Sequence, residues 1–172
     1  MQLTHNDHHP TDKSIASLDA LVLIAEKISA PANCGGLFRL ADAFGVNQLI
    51  LDAHTAPDIK SNRLKRTARA TEQWINHEYC DNILEKIKEL KNQGYLIAAI
   101  EITSKSQLIS NIDFSKFPKI ALILGNENFG VSKNVLENCE MHLHIKMRGN
   151  NSSMNVTHAA ALALYEVTRN LN

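Results

Sequence analysis

Nothing in the 172 residues approaches the roughly 20 consecutive apolar positions that a bilayer-crossing helix needs; apolar runs such as 20–25 and 120–124 have the length of strands. Glycine (7) and proline (4) are sparse, and with 44% hydrophobic and 21% charged residues this excludes a disordered, collagen-like or low-complexity chain. Cysteine is sparse too. Cys34, Cys80 and Cys139 are odd in number, far apart and form no CxxC pair, which argues against a disulfide framework or a structural zinc site and leaves reduced, buried thiols. Neither sign of charge is in excess, with 18 Lys plus Arg against 18 Asp plus Glu, so any grip on nucleic acid has to be local. Residues 1–14 are polar and His-rich, with no apolar stretch behind a basic start, and fit neither a secretory signal nor a transit peptide. The expectation is a cytoplasmic protein with a flexible tail at 1–17 and a single domain over 18–172.

What is present is alternation. From Ala20 onward short apolar runs alternate with helical patterns, the signature of βαβ units, so the fold class is α/β with a mainly parallel sheet flanked by helices. Segments 21–24, 48–52, 95–100 and 119–124 are rich in Leu, Ile and Val, as strands covered on both faces should be. Residues 81–91 place Ile83, Leu84, Ile87 and Leu90 on one helical face, with Asp81 as N-cap and Gly94 past the end. Residues 141–147 alternate strictly, Met141, Leu143, Ile145 and Met147 against His142, His144 and Lys146, which predicts a strand with one polar side. The last segment, 152–169, has too wide an apolar arc for a surface helix and requires cover from the core or from a partner.

Three segments carry chemistry. In the first, Asn33 through Arg39, the plain reading is a loop closed by an N-capping Asn33, with Gly35 and Gly36 for close packing and Arg39 in solvent. In the second, a strand runs into Gly125-Asn126-Glu127-Asn128-Phe129-Gly130, where glycines let a ligand approach the backbone at the carboxyl end of a strand. The spacing matches neither GxGxxG nor GxxxxGK[ST], which disfavours NAD and nucleoside triphosphates. In the third, Arg148 through Ala160, Ser152 or Ser153 is available as N-cap of the following helix, and Asn155 falls in its first turn, where an Asn competes with the backbone and implies a further role.

In this order the three segments resemble the SpoU (TrmH-like) branch of the SPOUT superfamily, RNA ribose 2'-O-methyltransferases that use S-adenosylmethionine. Asn33, Gly35 or Gly36, and Arg39 match the first family motif. Gly125-Asn126-Glu127 with Gly130 match the second, and Ser153-Met154-Asn155-Val156-Thr157 through Tyr165-Glu166 match the third. Met154 and Thr157 replace the family's usual Leu and Ser, and Lys146 with Arg148-Gly149-Asn150 replaces a more apolar, Pro-containing run. The resemblance covers about 21–169. It implies a trefoil knot in the C-terminal third, which sequence rules do not predict, and an obligate homodimer, which agrees with the wide apolar arc of the last segment.

The resemblance also implies site roles. Backbone groups near Ile100, Gly125, Ile145 and Met154 hold the cofactor. Arg39 is the catalytic residue, either as a literal base, which conflicts with a permanently protonated guanidinium, or as the group that binds the flanking phosphate and stabilises the developing alkoxide. Asn33 orients the ribose or phosphate, Glu127 fixes Arg39 by a charged hydrogen bond, and Ser153 with Asn155 completes the oxygen network. Lys60, Arg63, Lys65, Arg66 and Arg69 fall within ten residues free of acid, either a solvated face or a local RNA contact. His142 and His144 share a strand face, while His5, His8 and His9 lie in the tail; neither set has a completing Cys or carboxylate, so no metal is expected. Cys34 is read as a buried thiol rather than a nucleophile, since no base is visible near it. The leading substrate is tRNA, with ribosomal RNA as the alternative. The rival readings are an inactive RNA-binding homologue and a small-molecule nucleotide enzyme.

Overall fold

Strands form where Leu, Ile and Val crowd together: β1 (Ala20–Ala25), β2 (Gln48–Asp52), β4 (Leu96–Ile100) and β6 (Lys119–Leu124) are almost wholly buried. These are the four strands expected, within a residue or two. The computed structural model describes residues 20–150 and 153–169; the expected tail and domain boundary, the histidines His5, His8 and His9, and the candidate cap Ser152 lie outside the described residues.

Three further strands complete one seven-stranded sheet in the order β3-β2-β1-β6-β4-β7-β5, with every pairing parallel. β3 (His77–Cys80) and β5 (Gln107–Leu108) sit at the two edges, half exposed and poor in aliphatic residues, which is why no apolar run announces them. β7 is Met141–His144 and not the expected 141–147. Its outer partner β5 offers only two residues, Gln107 opposite Leu143 and Leu108 opposite His144, and beyond that register the chain leaves the sheet.

A parallel sheet needs both faces covered. Leu21, Leu23, Leu49, Leu51, Leu122 and Leu124 face α1 (Pro31–Ala43), α2 (Asn62–Ala68) and α5 (Val156–Thr168). Val22, Ile24, Ile50 and Ile123 face α3 (Ile83–Asn92) and the single turn α4 (Lys133–Leu136). Ile83, Ile87 and Leu90 of α3 are the buried stripe that the periodicity predicts.

Three caps differ from expectation. α3 begins one residue late, because Asn82 rather than Asp81 accepts from Glu85 N–H. α1 has Pro31 at its first position, where a missing N–H costs nothing, so Asn33 lies inside the first turn and is not the cap. α5 is capped by Asn155, whose side chain accepts from Thr157 N–H, and not by Ser153. Gly94 follows α3 with a φ of +86°, as a helix-ending glycine does.

Candidate functional site

The carboxyl ends of β4, β6 and β7 open onto one cavity of about 530 Å³, within the range of small-molecule sites. Its lining includes Ile100, Gly125, Ile145 and Met154, all four residues expected to hold a cofactor, and also Glu127, Ser153 and Asn155. Arg39 and Asn33 do not line it.

The turn after β6 is closed by reciprocal backbone bonds, Asn126 N–H to Gly130 O at 3.0 Å and Gly130 N–H to Asn126 O at 2.9 Å. Asn126 organises it from within. Its side-chain oxygen accepts from the N–H groups of Asn128 and Phe129, and its amide donates to Lys27 O at 2.8 Å. A Cβ on Gly125 would lie 2.1 Å from both Gly130 C and Val131 N, so this position admits no side chain. Glu101, the first residue past β4, braces the turn: it accepts from Val131 N–H and Ile102 N–H, each at 2.9 Å, and presses against Gly130 at a φ of +68°. Sequence reasoning missed Glu101 and the structural role of Asn126. The available signal for Glu101 is an acid at the carboxyl end of a buried strand, where ligands collect.

Glu127 reaches across to the start of α1. Its Oε1 accepts from Asn33 Nδ2 at 2.9 Å and from Ala30 N–H at 3.4 Å, so it caps a helix whose own N-cap residue, Ala30, has no side-chain acceptor. This corrects the expected Glu127–Arg39 bond. The positive end of α1 attracts the carboxylate, whereas Arg39 lies six residues along from Asn33, about 9 Å further by helical rise.

Asn33 in turn accepts from Asn155 Nδ2 at 3.1 Å, while Asn155 Oδ1 accepts from Thr157 N–H at 2.8 Å. An unbroken chain from Thr157 through Asn155 and Asn33 to Glu127 therefore ties the N-termini of α5 and α1 to the cavity wall. Gly36 lets the helices approach, for a Cβ there would meet Thr157 Cγ2 at 2.7 Å. Gly35 serves the other side, where its Cβ would lie 2.4 Å from Leu64 O of α2. Ser153 lines the cavity beside this chain.

Asn155→Asp separates the two duties of this residue. It keeps the acceptor that caps α5 but removes the donor to Asn33. Stability close to wild type with reduced activity is the expected outcome of thermal melts and activity assays on this variant. Asn155→Ala loses the cap as well, worth about 1 kcal/mol.

Arg39 is exposed on α1 and makes no ion pair or side-chain hydrogen bond among the described residues. Lys60, Arg63, Lys65, Arg66 and Arg69 are likewise exposed and without ion pairs among the described residues, gathered on and beside α2. The cavity lining holds two carboxylates, Glu101 and Glu127, and no lysine or arginine among the described residues.

The histidines of β7 are taken up separately. His142 has Leu136 O at 2.9 Å from Nε2 and Thr103 Oγ1 at 3.0 Å from Nδ1, so the neutral tautomer with a proton on Nε2 satisfies both contacts. His144 Nδ1 lies 3.1 Å from Ser106 Oγ. Among the described residues no three His, Cys, Asp or Glu side chains are placed to share a metal ion.

Cys34 is fully buried, and its thiol lies near Ile28 O at 3.6 Å. Burial, reinforced by the negative charge of Glu127, pushes its pKa from an ordinary 9.0 up to about 12. A neutral thiol at physiological pH is no nucleophile. Because the folded pKa is the higher one, the contribution to stability is complete below about pH 9 and fades as pH rises toward 12. Alkaline denaturation monitored for wild type and Cys34→Ala should show a shallower pH dependence in the variant over that window.

The family described as SpoU rRNA Methylase matches residues 20–165. An uncharacterized tRNA/rRNA methyltransferase of Borreliella burgdorferi is 33% identical over 154 residues, 90% of this chain and 66% of that protein, so the chain spans just under two thirds of its length. The tRNA (guanosine(18)-2'-O)-methyltransferase of Aquifex aeolicus is 31% identical over 87% of this chain and 69% of its own length. The crystal structure of the A. aeolicus TrmH/SpoU tRNA modifying enzyme superposes with a TM-score of 0.78 at 29% identity, covering 88% of this chain and 75% of that one. The match over residues 20–165 and the 31% identity to the A. aeolicus enzyme show that the chain belongs to the SpoU methylase family.

Proposed function

We propose that the protein is an S-adenosylmethionine-dependent methyltransferase acting on a ribose 2'-hydroxyl of RNA, tRNA first and ribosomal RNA as the alternative. The observation that carries the reading is the cavity at the strand ends, whose wall is physically joined to Asn33, Asn155 and Glu127. The fit to the cofactor rests on the donor set. Ile100, Ile145 and Met154 offer apolar walls for adenine, Gly125 leaves bare backbone where a side chain would intrude, and a lining with Glu101 and Glu127 but no lysine or arginine among the described residues suits a cation. When bound, S-adenosylmethionine supplies a methyl group on a positively charged sulfonium, already activated for transfer.

The chain's residues then have to place an oxygen and dispose of one proton. As O2' takes up the methyl group that the bound cofactor would supply, its hydroxyl proton would pass to a phosphate oxygen or water. Arg39, always charged, binds the neighbouring phosphate and stabilises the developing alkoxide. Asn33 and Ser153 direct the ribose, and Glu127 acts through Asn33 by fixing its amide rather than through Arg39.

A homodimer, a trefoil knot in the C-terminal third and a cytoplasmic location belong to the same reading. α5 leaves Leu162 45% and Tyr165 56% exposed, an apolar face that a second copy would cover. β6 lies between β1 and β4, and β7 between β4 and β5, an order compatible with the knot that the family resemblance implies. All three cysteines are free thiols, and no helix among the described residues is long and apolar enough to cross a membrane. The tRNA preference follows the named target of the A. aeolicus relative.

The test is a comparison of 2'-O-methyl groups by mass spectrometry in total RNA from cells with and without the protein: loss of one mark supports the proposal and names the substrate, while identical maps contradict it. For the RNA surface, Arg63→Glu with Arg66→Glu should weaken binding. The salt slope of the RNA association constant should become shallower by about 0.7 for each single-strand phosphate that is no longer neutralised. Unchanged affinity and slope would place the RNA elsewhere.

A further inference from the structure

The corner joining α2 to β3 has features that the methyl-transfer site leaves unused. α2 ends in Arg69 at φ 52° and Ala70 at φ 72°, two successive residues with a Cβ in the left-handed region that such residues rarely adopt. Thr71 holds the corner by donating its hydroxyl to Ala68 O at 2.7 Å, with both residues buried. The short turn Thr71–Gln73 then delivers Trp74 to the surface. This is the chain's only tryptophan, and it is 59% exposed.

Exposure here does not mean that the ring is loose. The indole N–H donates to Asp42 Oδ1 at 2.8 Å, which fixes the ring against α1. Asp42 stands three residues beyond Arg39, a neighbouring position on the helix surface. On the other side of the corner α2 presents Arg63, Lys65 and Arg66 to solvent, without ion pairs among the described residues. A flat apolar ring, hydrogen-bonded to α1 at a residue three beyond the proposed catalytic arginine and following a run of exposed cations along the chain, has the composition of a single-strand binding surface. The cations track the backbone and the aromatic stacks on a base. A duplex offers no free base face to such a ring.

We propose that Trp74 is a stacking platform for an unpaired base close to the methylated nucleotide, so that the substrate is a loop or other single-stranded RNA segment. The proposal rests on the RNA reading above and narrows it.

The sole tryptophan supplies its own probe. Titrating the full-length protein with a single-stranded oligoribonucleotide of mixed sequence, about 12 nucleotides long to cover one single-strand site, should quench the tryptophan emission, and an RNA duplex of equal length should not. Trp74→Ala should raise the KM for RNA by at least about 10-fold, leaving kcat and S-adenosylmethionine affinity unchanged. Trp74→Phe, which keeps a ring, should retain most of the wild-type affinity and controls for folding. RNA that binds, as seen by anisotropy of a labelled strand, without altering the emission would overturn the stacking role while leaving the RNA reading intact. So would equal quenching by the duplex, or a Trp74→Ala KM equal to wild type. Absence of any RNA binding would overturn both.

Discussion

Arg39→Ala is expected to lower kcat/KM for methyl transfer by about 10²- to 10³-fold, equivalent to about 2.7–4 kcal/mol of lost transition-state stabilisation. S-adenosylmethionine affinity should be unaffected, since Arg39 does not line the cavity. The prediction is sharp because the side chain is exposed and has no structural partner among the described residues, so its removal should leave the melting temperature in place. Arg39→Lys tells the roles apart further. A lysine keeps the charge but not the planar fork, and partial activity would point to charge, whereas activity as low as in the alanine variant would point to bidentate phosphate binding. Wild-type turnover by Arg39→Ala would remove Arg39 from the chemistry altogether.

Gly125→Ala should be the most damaging change at the cavity. The added methyl would overlap Gly130 C and Val131 N at 2.1 Å, and neither is a flexible side-chain end that can swing away. The backbone has to move, and the turn that moves carries Glu127 and with it the start of α1. An increase of about 100-fold in the S-adenosylmethionine dissociation constant is expected by titration calorimetry, about 2.7 kcal/mol. Some loss of thermal stability, in the range of about 1–3 kcal/mol typical of overpacked sites, should accompany it. Gly149→Ala is the control, because a Cβ there meets nothing within 4 Å, and it should bind the cofactor as wild type does.

The central strands are readable from composition because β1, β2, β4 and β6 are buried on both faces and only aliphatic residues fit there. β3 and β5 are not, since an edge strand such as His77–Cys80 has water on one side and no compositional need to be apolar. The caps are displaced by one to three residues for a related reason. Asp81 and Asn82 are both good capping residues, and periodicity does not choose between neighbours; in the structure it is Asn82 whose side chain accepts from Glu85 N–H.

For the site, the nearness of Ile100, Gly125, Ile145 and Met154 comes from family resemblance rather than from any pattern in the residues, and the structure gathers all four around one cavity. The misplaced element is the partner of Glu127. Two opposite charges in separate motifs suggest an ion pair, yet a helix N-terminus with no cap of its own lies nearer. That contest is decided by three-dimensional placement alone. Asn155 shows the converse. The sequence places it inside the first turn, where an Asn is out of place; the structure makes it the N-cap of α5, where Asn is favoured, and its further role is the amide it donates to Asn33.

The most direct measurement is nucleoside analysis of RNA incubated with the purified protein and methyl-labelled S-adenosylmethionine. Label is expected on ribose, recovered as a single 2'-O-methylated nucleoside and absent with Arg39→Ala. Label on a base, or none on any RNA from cells lacking the protein, would contradict the assignment of a ribose 2'-O-methyltransferase.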